Sequence, residues 1–284
     1  MQNQARRSRV WSRRSAVLLA SGMMGTLAEA ACGRKEDPSE QPEQEQTPEV
    51  PVISDAMPAE PEAQEPVAPA LEFARMLQAG EVGSIRLIGD SITAGFLCDG
   101  YDADATTDTL IYDGPYGTFW ETAYEVGCWA NEFRAYVADK GVGSFVNAGI
   151  CGAKMRWLAE DADAWIREAA DVIFVMLGTN DAVYHTTDEY RAFAEEGLAA
   201  VEAACTHMVV LAPPDNAWTD YGKEMSQADV ESVLREVCDA HGWYFVSLLD
   251  AVELHTDDLN EDQCHPTTKG SHALWERLRT SLGL

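Results

Sequence analysis

Five short apolar runs, at 84–88, 144–147, 171–177, 207–212 and 243–248, alternate with stretches whose apolar residues recur at helical spacing. The helical stretches lie near 128–140, 154–169, 187–204, 226–241 and 267–281; in the fourth, Val230, Val233, Leu234 and Val237 share one face. Strands bounded by helices at this rhythm predict a parallel sheet covered on both sides by helices. In such folds ligands sit at the carboxyl ends of the strands. Residues that carry chemistry should therefore be sought where the apolar runs stop. No internal repeat interrupts the pattern.

Four segments meet that condition. Gly89-Asp90-Ser91-Ile92-Thr93 follows the first run and Asn147-Ala148-Gly149-Ile150-Cys151-Gly152 the second. Gly178-Thr179-Asn180-Asp181 follows the third, and Asp262-Gln263-Cys264-His265-Pro266 precedes the last helical stretch. A serine at a strand end is exposed at the sheet edge, and a histidine with an aspartate three residues earlier can activate it. In that arrangement Ser91 is the nucleophile, His265 the base, and Asp262 the group that holds the imidazole in the useful tautomer. The negative oxygen of a tetrahedral intermediate needs donors, which the Asn180 amide and the backbone N–H groups of Ser91 and Gly152 can supply. A glycine suits position 152, where the chain must approach the substrate closely. Asp90 and Asp181 are read as braces of their loops, and His185, His207, His241, His255 and His272 as surface or packing residues.

In composition and order these segments resemble the conserved blocks of the SGNH, or GDSL, family of serine esterases and lipases, over residues 84–282. The resemblance implies a flavodoxin-like, three-layer α/β sandwich with a central parallel sheet, and no metal or cofactor. It also implies Ser91, Gly152, Asn180, Asp262 and His265 as the functional set. Gly149 rivals Gly152, but the family's oxyanion glycine is usually the second of its block. Ala153-Lys154 departs from the small polar residues often found next, leaving local substrate contacts open.

Ahead of this domain, Arg6, Arg7, Arg9, Arg13 and Arg14 form a basic head followed by the apolar run 16–27 and small residues, the layout of an export signal over 1–31. Ser12-Arg13-Arg14-Ser15 is similar to a twin-arginine signal, with Ala16 a weak next residue. Cys32, just after Ala30-Ala31, stands where a bacterial lipoprotein would be lipidated, although Glu29 departs from the usual apolar residue; plain secretion is the alternative. Residues 32–70 read as a tether, because 33–70 holds eight of the chain's 12 prolines with ten acidic residues and no apolar periodicity. The hydrolase domain is expected over 71–284.

The formal charge of the chain is −28, and the first 31 residues carry five arginines and one glutamate, so the chain from Cys32 onward is near −32. Such a field repels nucleic acid and anionic membrane surfaces, leaving a lipid on Cys32 as the expected route to a membrane. The six cysteines beyond Cys32 allow 15 disulfide pairings. Cys98 with Cys128, Cys205 with Cys238, and Cys151 with Cys264 are the pairings expected in an exported domain; buried free thiols are the alternative. No pair has the Cys-x-x-Cys spacing of a zinc site.

Residues 96–129 are long for a connection and would lie beside Ser91. They hold eight aromatic residues, including Phe96, Tyr101, Tyr116 and Trp120, which suit either stacking on sugar rings or packing the loop on the domain. Asp99, Asp102, Asp104 and Asp108 fall short of a calcium loop, since Thr107 replaces the needed glycine and no glutamate closes it. The expected function is an exported serine esterase that removes short acyl groups, such as acetyl, from a carbohydrate or cell-wall glycan. A lipase or lysophospholipase, an O-acyltransferase on the same site, and a binding module without turnover are the alternatives.

Overall fold

The computed structural model describes residues 69–218 and 222–284. The expected signal 1–31, Cys32 and nearly all of the tether lie outside the described residues. The elements, in chain order, are α1 Pro69–Gln78, β1 Ser84–Gly89, α2 Ser91–Ala94, β2 Thr106–Gly114, β3 Gly117–Thr122, α3 Trp129–Ala138, β4 Ser144–Gly149 and α4 Met155–Glu160. There follow α5 Ala162–Ile166, β5 Ala170–Met176, α6 Asp181–Tyr184, α7 Thr187–Glu202, β6 Cys205–Ala212, α8 Gln227–His241, β7 Tyr244–Ser247 and α9 Thr268–Leu282.

Five strands form one sheet in the order β4-β1-β5-β6-β7, with every pairing parallel. Side chains on a strand alternate between faces, and here the alternation divides the interior into two cores. Ile85, Leu87, Val172, Phe174, Val209 and Leu211 face Phe73 of α1, Phe133 of α3 and Leu274 of α9. Ile88, Ile173, Val175, Met208 and Val210 face Leu158 of α4, Leu198 of α7 and Leu234 of α8. The result is a flavodoxin-like three-layer α/β sandwich. Because both faces of each strand are covered, the strands read as continuous apolar runs.

Three parts depart from the sequence reading. The 96–129 connection contains an antiparallel hairpin, β2–β3, whose register is broken between Thr106 and Tyr112. The stretch 154–169 is two short helices, because Asp161 leaves the helical region at φ −154° and ψ 56°. Helix α1 begins at Pro69 and delivers Phe73 fully buried to the core. Proline is favoured at the first helical position, since the missing N–H has no partner there anyway.

The expected cysteine pairings are not formed: Cys98, Cys128, Cys151, Cys205, Cys238 and Cys264 are free thiols. Three of them have other partners. Cys98 Sγ donates to the Pro266 carbonyl at 3.7 Å, Cys205 Sγ to that of Val201 at 3.3 Å, and Cys151 Sγ lies 3.3 Å from the Tyr101 hydroxyl. Cys151 is exposed whereas Cys264 is buried. Burial pushes the Cys98 and Cys238 thiols up to about 12, which suppresses the thiolate needed for disulfide chemistry.

Candidate active site

The site is assembled at the carboxyl ends of β1, β4 and β5, which are adjacent in the sheet. Gly89 at the end of β1 stands opposite Gly149 and Met176. The chain then turns sharply into α2, whose N-cap is Asp90, with a carboxylate oxygen accepting the N–H of Ile92 at 2.9 Å. This cap places Ser91 on the first turn, 5% exposed. Helix α2 can lie this close only because of two glycines. A Cβ on Gly149 would stand 2.4 Å from the Ala94 nitrogen, and one on Gly89 would stand 2.1 Å from Thr93 Oγ1. Gly149, the rival in its block, thus has a packing role.

Ser91 Oγ lies 2.8 Å from His265 Nε2, across 174 residues of sequence. His265 Nδ1 lies 2.6 Å from Asp262 Oδ2. The other carboxylate oxygen, Asp262 Oδ1, accepts the backbone N–H groups of Cys264 and His265, each at 3.0 Å. Burial opposes the Asp262 charge, but the His265 ring and these two N–H groups outweigh it and hold the carboxyl below its ordinary value. Gln263, at φ 54°, turns the chain so that this three-residue step can close. Asn260 clamps the loop by donating to the carbonyls of His265 at 3.1 Å and Pro266 at 3.0 Å. The Phe96 ring stands edge-on to His265, with centroids 4.8 Å apart. Asn260 carries no sequence signal of its own, and Phe96 stands out only as one of the aromatic residues beside Ser91. Their parts follow from contacts across the fold.

Gly152 follows β4 at φ +80°, with no heavy atom within 4 Å of where a Cβ would be, so its backbone borders open space. Asn180 follows β5 and donates one amide hydrogen to the Ala153 carbonyl at 3.0 Å, which ties it to the glycine loop. Asp181 Oδ2 accepts the Met155 N–H at 2.9 Å and links the same two loops. Gly178, at φ +138°, is forced to be glycine, as a Cβ would lie 2.4 Å from Val230 Cγ1. Burial pushes Asp181 up to about 7 and Asp90 up to about 6. Lys154 Nζ reaches the Gly152 carbonyl at 3.3 Å and sits 4.5 Å above the Tyr184 ring. His185 and His207 are buried, and His272 is on the surface, paired with Glu132 at 2.7 Å. Among the described residues no group of three or more His, Cys, Asp or Glu side chains is arranged to hold a metal ion, and no helix is long and apolar enough to cross a membrane.

Residues 87–273 match the model of the GDSL-like lipase/acylhydrolase family. No curated protein matches the chain. Among solved structures, the fold is similar to Axe2, an acetylxylan esterase from Geobacillus stearothermophilus, with a TM-score of 0.53 and 19% identity over 71% of this chain and 94% of that one. It is similar too to LAE5, an alpha/beta hydrolase from the metagenome of Lake Arreo, with a TM-score of 0.54 and 19% identity over 71% and 95% of the two chains. At such identity these structures speak for the fold, while the family match spans well over half of the sequence. The chain therefore belongs to the GDSL-like lipase/acylhydrolase, or SGNH, family, and is a serine hydrolase acting on ester bonds.

Proposed function

We propose that the protein removes short acyl groups, acetyl among them, from a carbohydrate ester through an acyl-Ser91 intermediate. The observation that carries the reading is the continuous hydrogen-bonded line from Ser91 through His265 to Asp262, at 2.8 and 2.6 Å. Ser91 Oγ attacks the ester carbonyl while His265 Nε2 takes its proton. Asp262 keeps the Nδ1 proton in place and stabilises the imidazolium that forms. The tetrahedral oxyanion is met by the N–H groups of Ser91 and Gly152 and by the Asn180 amide hydrogen that is not engaged with Ala153. His265 then protonates the departing alcohol, and a water deprotonated by the same nitrogen releases the acid from Ser91.

The glycan part of the reading draws on the aromatic residues beside Ser91 and on the acetylxylan esterase among similar structures. Export, with Cys32 as a lipid anchor, belongs to the same reading. It rests on the arginine-rich head, the apolar run and the Pro/Glu tether.

The experiment is turnover of p-nitrophenyl acetate, butyrate and octanoate by the full chain and by its Ser91→Ala variant. Hydrolysis favouring acetate and falling by about 10⁴-fold or more in Ser91→Ala is the expected result. An undiminished rate in the variant would remove Ser91 from the mechanism. A preference for octanoate would point to a lipase instead.

A further inference from the structure

Beside the site, the β2–β3 hairpin roofs a cleft of about 300 Å³. Its floor includes Ala94, Gly149, Ile150 and Cys151, and its roof includes Ile111, Thr118, Phe119, Trp120 and Thr122. Thr118, Trp120 and Thr122 are alternate residues of β3, an indole between two hydroxyls, and Phe119 between them also lines the cleft. Trp120 is 46% exposed, a large aromatic surface left in water.

The cleft adjoins the reacting groups by two routes. Through the backbone, Ala94 is three residues beyond Ser91 on α2, and Cys151 is next to Gly152. Through side chains, Tyr101 lines the cleft, its ring packs edge-on against Phe96 at 5.2 Å, and Phe96 in turn packs against His265.

We infer that this cleft binds the carbohydrate that carries the ester, with a sugar ring stacked on Trp120. The inference rests on the glycan-ester reading above and gives that substrate a place. Two features select the occupant. The Thr118 hydroxyl donates to Asp113 Oδ1 at 2.8 Å and the Thr122 hydroxyl to the Ala94 carbonyl at 3.3 Å. With their protons engaged, both oxygens can still accept a hydrogen bond. Sugar hydroxyls supply matching donors, which an acyl chain lacks. Among the described residues no charged side chain lines the cleft, so the fitting sugar is neutral. The aromatic face covers the apolar C–H face of such a ring.

The test compares acetylated xylo-oligosaccharide with p-nitrophenyl acetate in the full chain and in its Trp120→Ala and Trp120→Phe variants. In Trp120→Ala the ratio of kcat/KM for the oligosaccharide to that for the small ester should fall about tenfold. The loss should lie in KM rather than kcat, and Trp120→Phe should recover most of it. An unchanged ratio in Trp120→Ala, with the unmodified chain active on the oligosaccharide, overturns the proposal. So does a selective loss on p-nitrophenyl octanoate, which would make the cleft an acyl-chain site.

If the unmodified chain leaves the oligosaccharide acetylated, the glycan-ester reading fails. Binding of the same oligosaccharide, followed by isothermal titration calorimetry, then decides the cleft separately. Saturable binding lost in Trp120→Ala supports a carbohydrate site, and absence of binding overturns it.

Discussion

Asp90 separates two properties that a reader of the sequence sees as one. Its carboxylate caps α2 by accepting from Ile92, and this capping is what a Gly-Asp-Ser turn suggests. Its complete burial, which no local pattern announces, pushes its pKa up to about 6. A buried acid with a raised pKa binds its proton more tightly folded than unfolded. Stability should therefore fall as pH rises from the ordinary carboxylate value near 4 to about 6, by on the order of 2–3 kcal/mol. Asp90→Asn retains an oxygen for the cap and lacks the charge. Its Tm should vary less over this range than that of the unmodified chain and be higher at pH 7, as thermal melts at several pH values would reveal; equal slopes would refute the assignment. The slope that survives belongs in part to Asp181, pushed up to about 7 by its own burial. Ser91, Asp262 and His265 were legible because each stands in a short pattern of distinctive composition. Asn260 was not, and Phe96 was read only as an aromatic near Ser91, since neither an amide donating to two carbonyls nor a ring edge on an imidazole leaves a periodic trace.

Helix α2 is four residues long, too short to hold itself in place by its own hydrogen bonds. Its position comes from the strands beneath it, and the two glycines set how close it lies. Gly149→Ala should thus act at a distance from the chemistry. The added methyl meets backbone at 2.4 Å, so α2 must move. The expected cost is about 1–3 kcal/mol of stability, with activity lower by about 10²-fold, because a displacement near 1 Å can cost that much. Denaturant unfolding and p-nitrophenyl acetate kinetics would measure both, and full activity would show that α2 tolerates the shift. The strands were readable as elements because their apolar runs are short and bounded by helical stretches. The hairpin was not, because its strands are half-exposed and broken in register, so the alternation expected of a strand is lost between Thr106 and Tyr112. The break at Asp161 is similar: residues on both sides suit a helix, and only packing places the turn there.

Across the whole molecule the charge of −28 shapes which esters arrive. An anionic ester, such as a succinate half-ester, should be hydrolysed with a kcat/KM that rises about two- to fivefold as salt is raised, because counterions screen the repulsion. A neutral acetate should respond little, and stopped-flow or steady-state rates across ionic strength would show the contrast. An anionic ester slowed by salt would mean that local cations such as Lys154 dominate the field at the site. The sequence by itself determined the parallel α/β class and the four segments that meet at the strand ends, since periodicity and strand-end motifs depend on near neighbours. Tertiary structure alone decided that Asp90 and Asp181 are buried, that the cysteines remain thiols, and that the hairpin encloses a cleft beside Ser91. Burial, the surroundings of each thiol and the depth of a cleft are set by which distant surfaces meet, and the chain order does not state those distances.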